Sequence, residues 1–266
     1  MTETINTDLN SSQTVSHSGL ASLDPRSKIL LACGFILTLS LLPPGEFLLY
    51  GLLLIALLIS ASLSGCSPAY LVRRSVIALP FALAAVTLLF SIPGETLLTL
   101  PMFGIDISVE GAIRFASLVT RSWISVQAAI LLVILTKFTD LMWGLQGLHM
   151  PSILVSVAGF TYRYLDVLRS EASRLRTARR ARSATSLGGR GGGSLLWRAR
   201  VTGWMVGSLM IRSMERSERI YNAMLARGYS GEVKTLTRFE LRSRDYWSIL
   251  VAAIAAVIVI LVAHFL

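Results

Sequence analysis

The sequence predicts an all-α integral membrane protein with about five transmembrane helices and long cytoplasmic helices set among them. Three observations predict it. Of 266 residues, 53% are hydrophobic and only 15% charged, too apolar for a soluble domain of this length. The apolar residues fall in blocks of roughly the 17 to 25 residues a helix needs to cross a bilayer. Of the 25 Lys and Arg, 18 lie between Arg163 and Arg244 and most of the others flank apolar runs, the distribution expected when basic residues stay on the cytoplasmic face.

Residues 1–22 are polar, rich in Ser, Thr and Asn, and lack an apolar core; they read as a disordered cytoplasmic tail, not a cleaved signal. Residues 28–42 are a short first span that borrows flanking residues. Residues 47–63 are almost pure Leu, Ile and Ala. Residues 76–92 hold Pro80, a kink position, and 112–135 carry Arg114, Arg121 and Gln127. Residues 247–266 close the chain with an Ala/Ile/Val run. This divides the chain into a tail (1–22), four spans (23–137), a cytoplasmic region (138–245) and a last span (246–266).

Sidedness follows from the connections. Arg26 and Lys28 precede the first span, Pro43-Pro44-Gly45-Glu46 has no basic residue, and the next connection holds Arg73 and Arg74. The 93–110 loop holds Glu95, Asp106 and Glu110 without Lys or Arg, and Lys137 opens the basic region. Five spans satisfy the alternation, with a cytoplasmic N-terminus and an external C-terminus. Residues 153–168 could form a sixth span, but Arg163, Asp166, Tyr162 and Tyr164 interrupt them, and a span there would put the basic region outside. They read as an amphipathic helix on the inner face of the bilayer. Arg114 and Arg121, seven apart on one helix face, are expected near the outer interface or paired with Asp106 and Glu110.

The cytoplasmic region predicts three helices. The first covers 139–148, with Thr139 as N-cap and Leu141, Leu145 and Leu148 on one face. Met150-Pro151 ends it. The second, 152–182, grows more basic along its length, through Arg169, Arg174, Arg176, Arg179, Arg180 and Arg182. The glycine tract at 188–193 reads as a linker. The third, 195–227, carries an apolar stripe at Trp197, Val201, Trp204, Leu209, Met214, Tyr221 and Met224, expected to bury one face against a neighbour. Gly228 follows where a left-handed helix-capping glycine belongs.

Two basic helices thus end in similar tripeptides, Ala181-Arg182-Ser183 and Ala226-Arg227-Gly228. One Arg-Gly helix ending is ordinary: the cation suits the negative helix end and Gly takes positive φ. A pair in one region points further. An Arg between small residues enters a groove without steric cost, and its planar fork binds a carboxylate bidentately, which suits an acidic cleft on a soluble partner.

The stretch from Arg212 through Met214-Glu215-Arg216-Ser217-Glu218-Arg219 and Ala223-Met224-Leu225-Ala226-Arg227-Gly228-Tyr229 to Gly231 resembles the T component of energy-coupling-factor ABC transporters, and most of all its cobalt-transport CbiQ subfamily. Leu23-Asp24-Pro25-Arg26-Ser27-Lys28, Leu148-His149-Met150-Pro151 and Tyr162-Arg163-Tyr164-Leu165 match as well, so the resemblance covers roughly residues 20 to 266. It implies a multi-pass scaffold of the bacterial inner membrane with two crossing coupling helices. Their tips, here Ala181, Arg182, Ser183 and Ala226, Arg227, Gly228, would seat in grooves of two ATP-binding cassette ATPase subunits. Ser183 stands where the family has Gly, and Arg179 is the alternative first anchor. A separate substrate-binding membrane subunit, with or without a small accessory membrane subunit, would complete the importer. Cobalt is the implied cargo, with nickel or a vitamin as alternatives.

No Gly-x-x-x-x-Gly-Lys-[Ser/Thr] phosphate loop occurs, so ATP and its Mg are expected in the partner chains and no cofactor in this one. His17, His149 and His264 form no ligand set with Cys33 or Cys66. Two rival readings, a membrane enzyme acting on a phosphorylated lipid and a membrane-anchored nucleic-acid binder, lack respectively a carboxylate or His cluster and base-stacking aromatics. The predicted partners are therefore proteins and the lipid bilayer, not nucleic acid.

Overall fold

The structure, a computed structural model, describes residues 19–78, 86–87, 96–100, 105–182, 194–231 and 242–265. A 3-10 turn at Gly19–Ser22 shows that regular structure starts within the stretch expected to be tail. Helix α1, Pro25–Leu41, starts where Asp24 accepts from the Arg26 N–H at 2.9 Å and Pro25 fills the first turn, a position that needs no N–H. Helix α2 is Phe47–Leu63, with the predicted bounds.

A short helix α3, Pro68–Arg74, and a 3-10 turn, Ser75–Ala78, follow. The sequence reading had no helix at 68–74, and most of the predicted third span lies outside the described residues. The stretch read as a plain loop contains a hairpin, β1 (Thr96–Leu100) antiparallel to β2 (Ile105–Ser108). Helix α4, Val109–Leu135, begins as Ser108 accepts from the Gly111 N–H at 2.9 Å.

Helix α5 is Phe138–Gly147, and its N-cap is Lys137, without a side-chain bond. Thr139, the expected cap, instead sits one residue inside the helix, with its hydroxyl 3.4 Å from the Asp140 carboxylate. The helix starts one residue earlier than its apolar pattern, so Thr139 is too far along to reach a free first-turn N–H. Helices α6 (Ser152–Arg182), α7 (Leu195–Ala226) and α8 (Ser243–Phe265) complete the chain.

Among the described residues α4 and α8 are long and apolar enough to cross a membrane, and α2 is a shorter apolar helix. Helix α6 is not among them, which agrees with the reading that 153–168 is no sixth span. The protein is a helical membrane protein.

The chain forms two compact units, Met1–Leu148 with Arg238–Leu266, and His149–Thr237. Helix α5 therefore groups with the spans, and the boundary expected at 137/138 falls at 148/149. In the first unit α1 packs against α8, α4 and α5. Leu39, Leu42, Leu49, Tyr50, Leu53, Ile124 and Ala263 form one buried cluster, and Ala61, Cys66, Leu71 and Leu131 another.

Polar groups lock the ends of these helices. The carboxylate of Asp245, 3% exposed, accepts the Asp24 N–H at 3.0 Å and the Arg242 N–H at 2.8 Å. Lys28 donates from Nζ to the Leu135 carbonyl at 3.2 Å, closing the end of α4 onto α1. At the other end, Ser117 accepts from the Gly45 N–H at 2.9 Å. Arg121, one turn on, donates to the Tyr50 hydroxyl at 2.8 Å. Its partner is thus a phenol on α2, not the loop acids expected from the sequence.

Candidate functional site

The second unit is built on α6 and α7. Arg179 Nη1 donates to the Thr202 hydroxyl at 2.9 Å, and Arg212 pairs with Glu171 at 2.9 Å. The rings of Phe160 and Tyr229 meet edge to face at 6.4 Å. Partner numbers fall on α6 as they rise along α7 and just past its end, so the two helices are antiparallel. Contacts recur along both helices, so they meet along a seam and not at the single crossing that the resemblance implies.

An antiparallel pair puts its two C-termini at opposite ends. Arg182 lies one turn past Arg179, at the Thr202 end, and Arg227 lies at the Phe160 end. With a rise of ~1.5 Å per residue, the two tips stand on the order of 40 Å apart.

The tip of α7 is held by its backbone. Arg227 is the C-cap, and Gly228 takes φ +81°. The Gly228 N–H donates to the Leu225 carbonyl and the Tyr229 N–H to the Met224 carbonyl, each at 3.0 Å. This pair of bonds is a Schellman motif, which satisfies two of the orphaned helix carbonyls and requires the left-handed glycine. Tyr229, turned back by the motif, is the residue whose ring meets Phe160. Sequence reasoning found Gly228 but passed over Tyr229, although an apolar residue just after a capping glycine is the usual companion of this motif.

The predicted residues Ala181, Arg182, Ala226, Arg227 and Gly228 are all exposed. Ser183 and the 188–193 tract lie outside the described residues. Arg179, the alternative anchor, is half-buried and engaged with Thr202. The last turn of α6 holds Arg179, Arg180 and Arg182, a cluster of cations at the negative helix end.

The stripe on α7 does not bury a face in this chain: α7 has no buried residue, and Trp197, Trp204, Met214 and Tyr221 are exposed. Two long helices with this much exposed apolar surface mark an interaction site. Among the described residues, no group of three or more His, Cys, Asp and Glu is placed to hold a metal ion.

A family model for cobalt transport proteins, CbiQ, matches residues 17–237. The chain belongs to the CbiQ family. It is therefore a membrane component of a transporter. It is 30% identical over 134 residues to the cobalt transport protein CbiQ of Rhodobacter capsulatus, covering 50% of this chain and 52% of the relative. It is 26% identical over 253 residues to the energy-coupling factor transporter transmembrane protein EcfT of Thermosediminibacter oceani, covering 91% and 92%. It is 30% identical over 135 residues to the nickel permease LarQ of Lactiplantibacillus plantarum, covering 48% and 44%. The chain thus spans about half the length of the CbiQ and LarQ relatives and nearly all of the EcfT relative.

Proposed function

We propose that this chain is the transmembrane coupling subunit of an energy-coupling-factor ABC importer. It would link ATP hydrolysis in two partner ATPase subunits to a separate substrate-binding membrane subunit, for cobalt uptake across the bacterial cytoplasmic membrane. The chain itself hydrolyses nothing. Its N-terminus and the α6–α7 pair face the cytoplasm.

The observation that carries this reading is the pair of exposed arginine tips at opposite ends of an antiparallel helix pair. One pair of helices can reach two ATPase subunits only if its tips point apart, and an antiparallel pair does this by construction. Arg227 is presented by a backbone-locked cap, and Arg182 projects beyond the seam that occupies Arg179. Each guanidinium would enter an acidic groove and bind a carboxylate through two parallel hydrogen bonds. Closure of the ATPases on ATP then moves the tips, and the exposed apolar faces of α6 and α7 pass that movement to the substrate-binding subunit. The test is charge reversal in the assembled complex. Arg182→Glu and Arg227→Glu should each weaken co-purification of the ATPases, and the double variant should abolish it. Normal assembly and uptake by the double variant would overturn the reading. Uptake assays with cobalt and with nickel in the wild-type complex decide the cargo.

A further inference from the structure

We propose that α5 is the fixed end of the coupling linkage and that the 148–151 turn, pivoting at His149, is its hinge. This rests on the coupling reading above and locates where that motion enters the membrane unit.

Helix α5 is clamped to the start of α1. A Cβ at Gly144 would lie 2.9 Å from Ile29 Cδ1 and 3.2 Å from the Pro25 backbone carbon, and a Cβ at Gly147 would collide with the Arg26 guanidinium. The two glycines are one turn apart, so one face of α5 is pressed onto Pro25, Arg26 and Ile29 with no room for a side chain. The Arg26 guanidinium also lies 4.4 Å from the centre of the Trp143 ring, a cation–π contact. Asp24, one residue before α1, is tied to Asp245 at the start of α8. Three helix starts therefore move as one body.

Beyond Gly147 the constraints stop at once. The Leu148 N–H still donates to the Gly144 and Leu145 carbonyls, and the bonds of α6 begin at the Pro151 carbonyl, which accepts from Leu154 and Val155. Among the described residues no backbone hydrogen bond involves the His149 or Met150 N–H, and Pro151 has no N–H to give. His149 takes φ +67° and stands alone among the described non-glycine residues in the left-handed region. A residue there is strained and has a lower-energy alternative in the right-handed or extended regions, which is the property a pivot needs. His149 is also the first residue of the second compact unit.

The test uses the whole transporter with spin labels on cysteine pairs. One pair, at Leu41 and Thr139, reports α1 against α5; the other, at Thr139 and Ser170, reports α5 against α6. Between nucleotide-free and ATP-bound complexes, the first distance should stay constant and the second should shift. His149→Val, which penalises the left-handed region, should lower cobalt taken up per ATP hydrolysed several-fold. His149→Gly, which tolerates that region, should preserve it, and both variants should retain the ATPases. If the Leu41–Thr139 distance shifts as much as the other, or the Thr139–Ser170 distance stays fixed, the hinge is elsewhere. Failure of the wild-type chain to hold ATPases at all would instead sink the coupling reading on which this one rests.

Discussion

Tyr50 and Arg121 form a relay at the turn between α1 and α2: the tyrosine hydroxyl accepts from Arg121 Nε at 2.8 Å and donates to the Pro43 carbonyl at 2.7 Å. The guanidinium carbon also lies 5.3 Å from the centre of the Tyr50 ring, so one phenol answers a charge on a membrane helix with both its oxygen and its face. Tyr50→Phe keeps the ring but removes the oxygen from both contacts. It should cost about 1–3 kcal/mol, the range for losing a hydrogen bond to a charged group. Thermal unfolding in detergent checks this, and Arg121→Met on top of Tyr50→Phe should cost less than the sum of the two single changes.

Asp245 serves two backbone donors, those of Asp24 and Arg242. Asp245→Ala leaves both without an acceptor, at about 1–3 kcal/mol for each buried donor. A lower melting temperature should come with faster hydrogen exchange at the starts of α1 and α8. Unchanged exchange at Asp24 would show that the carboxylate does not hold the two helices together.

Gly147 leaves no room for a side chain beside Arg26. Gly147→Ala should displace the guanidinium from Trp143 and cost about 1–3 kcal/mol as an overpacking change. Near-ultraviolet circular dichroism and tryptophan emission should report the altered Trp143 environment.

Gly228 at φ +81° makes the α7 cap sensitive to any side chain. Gly228→Val should cost about 1–2 kcal/mol, the penalty for the left-handed region, and redirect Arg227. ATPase co-purification should fall while the protein still inserts and folds. Retention at the wild-type level would separate the cap from the anchoring role.

Burial raises the Cys66 thiol above its ordinary value, so its reactive thiolate is scarcer at neutral pH than that of a free cysteine. A small maleimide should label Cys66 slowly at pH 7 and faster only as the pH rises past the usual thiol range. A cysteine introduced at exposed Ser67 should label promptly at pH 7, and equal rates at the two positions would contradict the burial.

Much of this molecule is legible in one dimension. The bounds of α2 and α6, the run of α4, the C-terminal span and the Arg-Gly end of α7 all follow from apolar length, charge placement and helix-ending chemistry. Each of those is a property of neighbouring residues. The missed cap at Thr139 and the hairpin at 96–108 show the limit of such rules where several helix starts compete or a loop can pair with itself.

The sequence by itself determined a helical membrane chain with two long basic helices ending in arginine tripeptides, because hydropathy and capping are local. Only the tertiary structure decided that Arg121 answers Tyr50, 71 residues away, that Asp24 answers Asp245, 221 residues away, and that α5 belongs with the spans. The antiparallel seam that sends Arg182 and Arg227 to opposite ends was decided there too. Many partners satisfy a buried polar group equally well on paper, and only the packed chain brings a particular one within hydrogen-bonding distance.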